Sequence, residues 1–214
     1  MNTTELRDLF RAEMFDAVLP YLVSDVTLYQ YIDDAQKQFC RKTEGIEDSR
    51  SFTIALASGV DWYDTDPSIL KFRSATLQST GDDVPLVNPE KAALMGVRFD
   101  SKLGPTKALV LGLQKNQVRV WPKTTADVAD IIELSVFRLP RTVESGDEFE
   151  IDEQHHQSLL LWVKHRAYGM QDSELYDRRK SEEMEARFNT YCSESRKEQE
   201  RARRVVGTVA YGGI

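Results

Sequence analysis

Apolar positions recur at helical spacing towards both ends of the chain and at strand spacing in its middle. Over residues 2–16, Leu6, Leu9, Phe10 and Met14 fall on one side of a short helix that Asn2, Thr3 or Thr4 can cap. Pro20 ends or kinks that segment. Ser24 then caps a clearer helix, with Asp25 in the first turn where the helix dipole favours an anion. Leu28, Ile32, Ala35 and Phe39 form its buried stripe, Arg41 and Lys42 close its last turn, and residues 43–50 read as a polar loop.

From Phe52 the period falls to two. Phe52, Ile54 and Leu56 alternate with smaller residues, 64–67 is a turn, and 69–77 is a second strand. Residues 79–103 are rich in Gly, Asp, Pro and Lys and show no regular period, with 94–98 as a short helix or apolar clip. Strands return over 107–113 and 118–121 around a Lys115-Asn116 turn, and again over 131–139. There Ile132, Leu134 and Val136 share one face and Glu133 and Ser135 the other. The pattern predicts an antiparallel meander with one buried face. After an acidic connection over 141–151, Asp152 can cap a strongly apolar helix carrying Leu159, Leu160, Trp162, Val163, Ala167 and Tyr168, which Gly169 ends.

Residues 172–204 differ from everything before them. Eighteen of these thirty-three residues are charged, nine of each sign, and neither Pro nor Gly interrupts them. This reads as one exposed helix, capped by Asp172 or Ser173 and about 45–50 Å long. Acid-first pairs four residues apart, Glu174/Arg178, Glu183/Arg187 and Glu200/Arg204, support it. Tyr176, Met184, Phe188 and Tyr191 give one side something to pack on. The next ten residues, 205–214, carry no charged side chain. A terminus rich in Val, Thr, Tyr and Gly either frays or adds to the edge of another chain's sheet. The fold class expected is therefore α+β: a helical bundle of two N-terminal and two C-terminal helices with an inserted antiparallel β-meander and an extended C-terminal tail. One domain, 1–204, contains helices over 3–42, a β-rich insertion over 51–140 and helices over 152–204; the tail is 205–214.

Composition narrows the function classes. The net charge of −7 disfavours binding nucleic acid through phosphate contacts, which need a basic surface. No apolar run is long enough to span a membrane, and residues 1–10 lack the basic-then-apolar order of a signal peptide. Cys40 and Cys192 stand far apart with no CxxC partner, which suits buried reduced thiols in a reducing cytosol. His155, His156 and His165 fall in no metal-binding spacing, and adjacent helical histidines diverge by about 100°. They read as surface or packing imidazoles. Asp61, Asp64 and Asp66, like Asp82 and Asp83, lack the register of a calcium loop and read as solvated turn residues. No nucleophile elbow, dinucleotide fingerprint or P-loop occurs, so the reading is not an enzyme, with no cofactor and no metal. Tyr29, Tyr31, Trp62, Tyr63 and Trp121 fit core and subunit contacts better than a base-stacking platform in a chain this acidic.

Several short words carry a resemblance. Leu19-Pro20-Tyr21-Leu22-Val23-Ser24-Asp25, followed by Leu28 and by 32–43 (IDDAQKQFCRKT), resembles the N-terminal helices of head–tail connector (adaptor) proteins of tailed bacteriophages. Val120-Trp121-Pro122-Lys123, Phe137-Arg138-Leu139-Pro140, the helix over 160–170 and the charged helix with Phe188 agree with that pattern, which covers roughly residues 15–200.

The resemblance implies a virion structural protein, made in the host cytoplasm, that forms a ring of about twelve copies under the portal. Such a ring extends the DNA channel and attaches the tail. The implied partners are the portal protein, a tail or nozzle protein and further copies of the chain, with DNA passing unbound by sequence and no membrane. The tail residues Val205, Val206, Thr208, Val209, Tyr211 and Ile214 would dock on the portal, while Arg178, Arg179, Glu183, Arg187, Arg196 and Glu200 would lie at subunit boundaries. An acidic wall repels passing DNA rather than trapping it, and many weak cross-subunit ion pairs set register. The competing readings are a head-completion or tail-terminator subunit and, from another class, a small cytosolic metal-binding protein or enzyme using Asp152, His155 and His156.

Overall fold

The computed structural model describes residues 1–95, 103–125, 130–171 and 173–203. In chain order these form α1 (Thr3–Glu13), α2 (Asp25–Thr43), β1 (Ile46–Ala55), β2 (Trp62–Asp64), β3 (Ile69–Leu77), β4 (Leu86–Val87) and α3 (Pro89–Leu94). There follow β5 (Ala108–Gln114), β6 (Gln117–Trp121), β7 (Ile131–Arg138), α4 (Leu159–Tyr168) and α5 (Arg178–Ala202). The fold is mixed α+β. The chain divides into two compact units, Met1–Glu44 with Pro140–Ile214, and Gly45–Leu139.

In the first unit, helix ends follow local chemistry. Asn2 accepts from the Glu5 amide while the Glu5 carboxylate accepts from the Asn2 amide, a reciprocal cap that fixes the start of α1. The Ser24 hydroxyl caps α2 by accepting from the Thr27 amide. Helix α2 packs against α1, α4 and α5. Its expected stripe, Leu28, Ile32, Ala35 and Phe39, is buried together with Leu6, Phe10, Leu159, Val163 and Phe188. Polar groups lock this core: the Trp162 indole N–H donates to Asp34 at 2.7 Å, and the Gln36 amide donates to the Arg141 carbonyl at 2.8 Å.

Two helix starts differ from the sequence reading. Asp152 makes no side-chain cap; it precedes a 3-10 turn, Glu153–His155, and α4 begins only at Leu159. The charged helix begins at Arg178, capped by Asp177 accepting from the Lys180 amide at 3.0 Å. Before it, Ser173 caps a turn by accepting from the Leu175 amide, and the Asp177 amide donates back to the Tyr168 carbonyl at 3.0 Å. Those bonds tie the connection to the end of α4, so α5 is 25 residues, about 37 Å, instead of thirty-three. Its buried face is Ser181, Phe188, Cys192 and Ser195, whereas Tyr176 precedes the helix and is exposed.

The second unit holds two sheets, ordered β1-β7-β3 and β2-β6-β5-β4. This is not the expected meander. The last strand, β7, lies between β1 and β3, antiparallel to both, and β4 runs parallel to β5. The unit's first and last strands pair end to end, Ile46 opposite Arg138, which removes β7 from the sheet edge. β3 and the Ile132/Leu134/Val136 face stand as the alternation predicts. β1 starts at Ile46, inside the expected polar loop, because an edge strand tolerates polar side chains. There Asp48 accepts from the Arg50 and Ser51 amides at a bulge and pairs with Arg138 at 3.0 Å. α3 lies over Pro89–Leu94, with Asn88 as cap; of the expected 94–98 helix, residues 96–98 lie outside the described residues. β5 is buried on both faces: Leu109 joins Ile54, Val118, Val120, Ile132 and Leu134, while Ala108 and Val110 join Val87 and Ala92.

Candidate functional site

The exposed side of α5 carries the charges expected at subunit boundaries, and they close on themselves. Arg187 pairs with Glu183 at 2.6 Å in the predicted acid-first order. Arg178 pairs with Glu182 at 2.8 Å instead of with Glu174, and Arg196 pairs with Glu200 at 3.0 Å. Arg179 is exposed. Exposed pairs at this spacing contribute about 0.3–0.5 kcal/mol each. Helix α5 ends with Arg203 in an ion pair with Glu44, below α2. Arg204 and the six tail positions Val205, Val206, Thr208, Val209, Tyr211 and Ile214 lie outside the described residues.

The histidines are committed to packing. His155 is buried, its Nδ1 lies 2.8 Å from the Tyr191 hydroxyl, and its ring sits 4.7 Å from that of Phe39. Burial holds its pKa below the usual imidazole value. His156 Nε2 lies 2.9 Å from the Ile151 carbonyl, and Ser181 bonds His165. Among the described residues no three His, Cys, Asp or Glu side chains are grouped to hold a metal ion. Cys40 and Cys192 are buried thiols, and burial pushes the Cys192 pKa up to about 12. Asp64, Asp66, Asp82 and Asp83 are exposed turn residues as expected, whereas Asp61 is partly buried and pairs with Arg119 at 2.7 Å and Lys123 at 3.4 Å. The aromatic set is divided between the two units, and three of its members sit under cations, Arg7 over Tyr29, Arg166 over Tyr31 and Arg119 over Trp62.

The connection between α1 and α2 was not singled out as a surface by periodicity. Arg11, buried, donates to Asp16 at 2.8 Å, to the Val23 carbonyl at 3.1 Å and to Asp25 at 2.5 Å. Asp16 in turn accepts from the Leu22 amide at 2.7 Å, and the Tyr21 ring covers the Arg11 guanidinium at 3.5 Å. This closed network pins both ends of the connection. What it holds outward is apolar: Phe15 is 94% exposed, Val18 80%, Leu19 72% and, in the first turn of α2, Val26 70%. Phe15 also has φ of 56°, the left-handed conformation in which a helix ordinarily ends on glycine. Beside it, Val26, Tyr29, Gln30 and Asp33 of α2 face 142–145 across a solvent-open recess of about 380 Å³. Its far wall is held by bonds from the Val143 amide to Asp33 and from Ser145 to the Tyr29 hydroxyl.

Buried polar chemistry that serves packing, beside a pinned apolar projection and a charged helix, is the build of an assembly protein. The family model of the SU10 adaptor protein matches residues 1–210, and the chain belongs to this family of phage head–tail adaptors. No curated protein matches it. Among the described residues no helix is long and apolar enough to cross a membrane.

Proposed function

We propose that the chain is a structural head–tail adaptor of a tailed phage. About twelve copies form a ring under the portal, extend the DNA channel and attach the tail or nozzle protein. The observation that carries this reading is the family match over 1–210. The single adaptor domain, 1–204, is a helical bundle bearing a β-rich insertion. The tail, 205–214, docks on the portal, and the exposed side of α5 lies between neighbours. With a net charge of −7 per copy, the assembled channel is negative, and DNA slides past without base-specific contact. The protein works at the head–tail junction of the virion after synthesis in the host cytoplasm, without cofactor or catalysis.

Deleting 205–214 tests the tail's part directly. The truncated protein is expected to keep the thermal unfolding of the full chain and to lose co-sedimentation with portal rings. Undiminished binding by the truncated protein removes the tail from the mechanism.

A further inference from the structure

We infer that the ion pair between Glu44 and Arg203 is a positioning clamp for the portal contact. It holds the last turns of α5 to the end of α2 and so fixes the point from which residues 205–214 leave the helix. The inference rests on the reading of 205–214 as the portal-docking tail and adds to it the residues that present that tail.

The side of α5 turned to the core changes character along its length. Phe188, Cys192, Ser195, Gln199 and Arg203 follow at intervals of three or four residues and so share one face. Phe188 and Cys192 are buried, and the Phe188 ring lies 5.2 Å from that of Trp162. Beyond Cys192 the apolar hold stops. Ser195 is buried, yet its hydroxyl has no hydrogen-bond partner among the described residues, and neither has the buried side-chain oxygen of Gln199. Buried polar atoms left unpaired oppose packing, since water would satisfy them. On the outer side, Arg196 pairs with Glu200 within α5 itself.

About three turns of helix therefore separate Cys192, the last apolar anchor, from Arg203. A helical segment that short does not hold itself in water and takes its order from what it touches. Arg203 closes the stretch. It is the C-cap of α5, and its guanidinium pairs with Glu44, the C-cap of α2. A cation suits the negative end of both helices, and it offsets the placing of an anion at the end of α2. The Glu44 side chain is only 17% exposed, so solvent screens this pair less than those on the outer side of α5. The uncharged run 205–214 begins two residues after Arg203. A docking segment with a fixed root loses less freedom on binding than one that swings from a frayed helix end.

Glu44→Gln tests the clamp. The melting temperature is expected to stay within about 4 °C of that of the unaltered chain. Amide exchange over 196–203 should speed up while exchange in α2 and α4 stays as it was. The chain concentration needed to coat portal rings should rise about fivefold or more. Arg203→Gln should act alike, and exchanging the charges, Glu44→Arg with Arg203→Glu, should recover most of the coating. Unchanged coating by Glu44→Gln, unchanged exchange over 196–203, or an exchanged pair no better than either single variant overturns the inference. Deletion of 205–214 separates it from the reading beneath it. A truncated chain that coats portal as well as the full one removes the tail reading, whereas loss on deletion with no effect of Glu44→Gln removes the clamp alone.

Discussion

The exposed side of α5 and the connection between α1 and α2 handle solvent in opposite ways. On α5 the charges are outside and satisfy one another along the helix, Arg178 with Glu182, Arg187 with Glu183 and Arg196 with Glu200. In the connection the charges are inside, Arg11 with Asp16 and Asp25, and the apolar groups are outside. A self-paired surface gains little from a neighbour, because exposed ion pairs are exchanged for similar ones. An outward apolar surface gains whatever area a neighbour covers. The sequence reading assigns subunit contact to the charged helix, whose exposed side carries paired charges, whereas the connection presents apolar area with no partner among the described residues of its own copy.

The sharpest way to break this contrast is to remove its buried anchor. Arg11→Met strands the Asp16 carboxylate, itself almost fully buried, and is expected to cost about 3–5 kcal/mol in denaturant unfolding. Phe188→Ala, at the buried side of α5 against Trp162, should cost a similar 3–5 kcal/mol by opening a cavity. Phe15→Gly is expected to go the other way, stabilising by up to about 1 kcal/mol through relief of the left-handed backbone. A loss of stability there would mean that the ring packs in its own copy. At the small end, Arg187→Ala should change stability by no more than about 0.5 kcal/mol.

Acid offers a separate handle on the helical core. Because burial lowers the folded-state pKa of His155, the unfolded chain binds the proton more readily. The stability tied to this residue is therefore complete above the unfolded value, about 6.5, and is lost as pH falls below it. The melting temperature should drop between pH 7.5 and 5.5, with a shallower drop in His155→Gln. Identical slopes would show that His155 does not titrate across the transition.

Legibility followed locality. The strand Ile69–Leu77 and the stripe of α2 are written in short-range periodicity, and both stand where the alternation of apolar residues puts them. Cys40 and Cys192, read as buried thiols from their separation and the lack of a CxxC partner, are buried and free. The misplaced boundaries all depend on partners distant in sequence or on a backbone turn. β1 extends back to Ile46 because β7 is there to pair with it, and α5 starts late because Asp177 bonds back to Tyr168. Strand order, too, is a tertiary property, invisible to a period of two. The apolar connection escaped for the same reason. Over 15–23, Phe15, Val18, Leu19, Leu22 and Val23 fall at helical spacing, but Pro20 interrupts the segment and no helix forms, and the Arg11 network holds Val23 in while Phe15, Val18 and Leu19 turn out. The signal in the sequence is an arginine, Arg11, directly after Phe10 in the apolar stripe of α1 and followed by Asp16 and Asp25.

The most direct test of the adaptor reading is the mass of the complex formed when the purified chain saturates portal rings, measured by native mass spectrometry. The account predicts a discrete species with one copy of this chain per portal subunit. A portal mass unchanged at micromolar chain concentrations would contradict it.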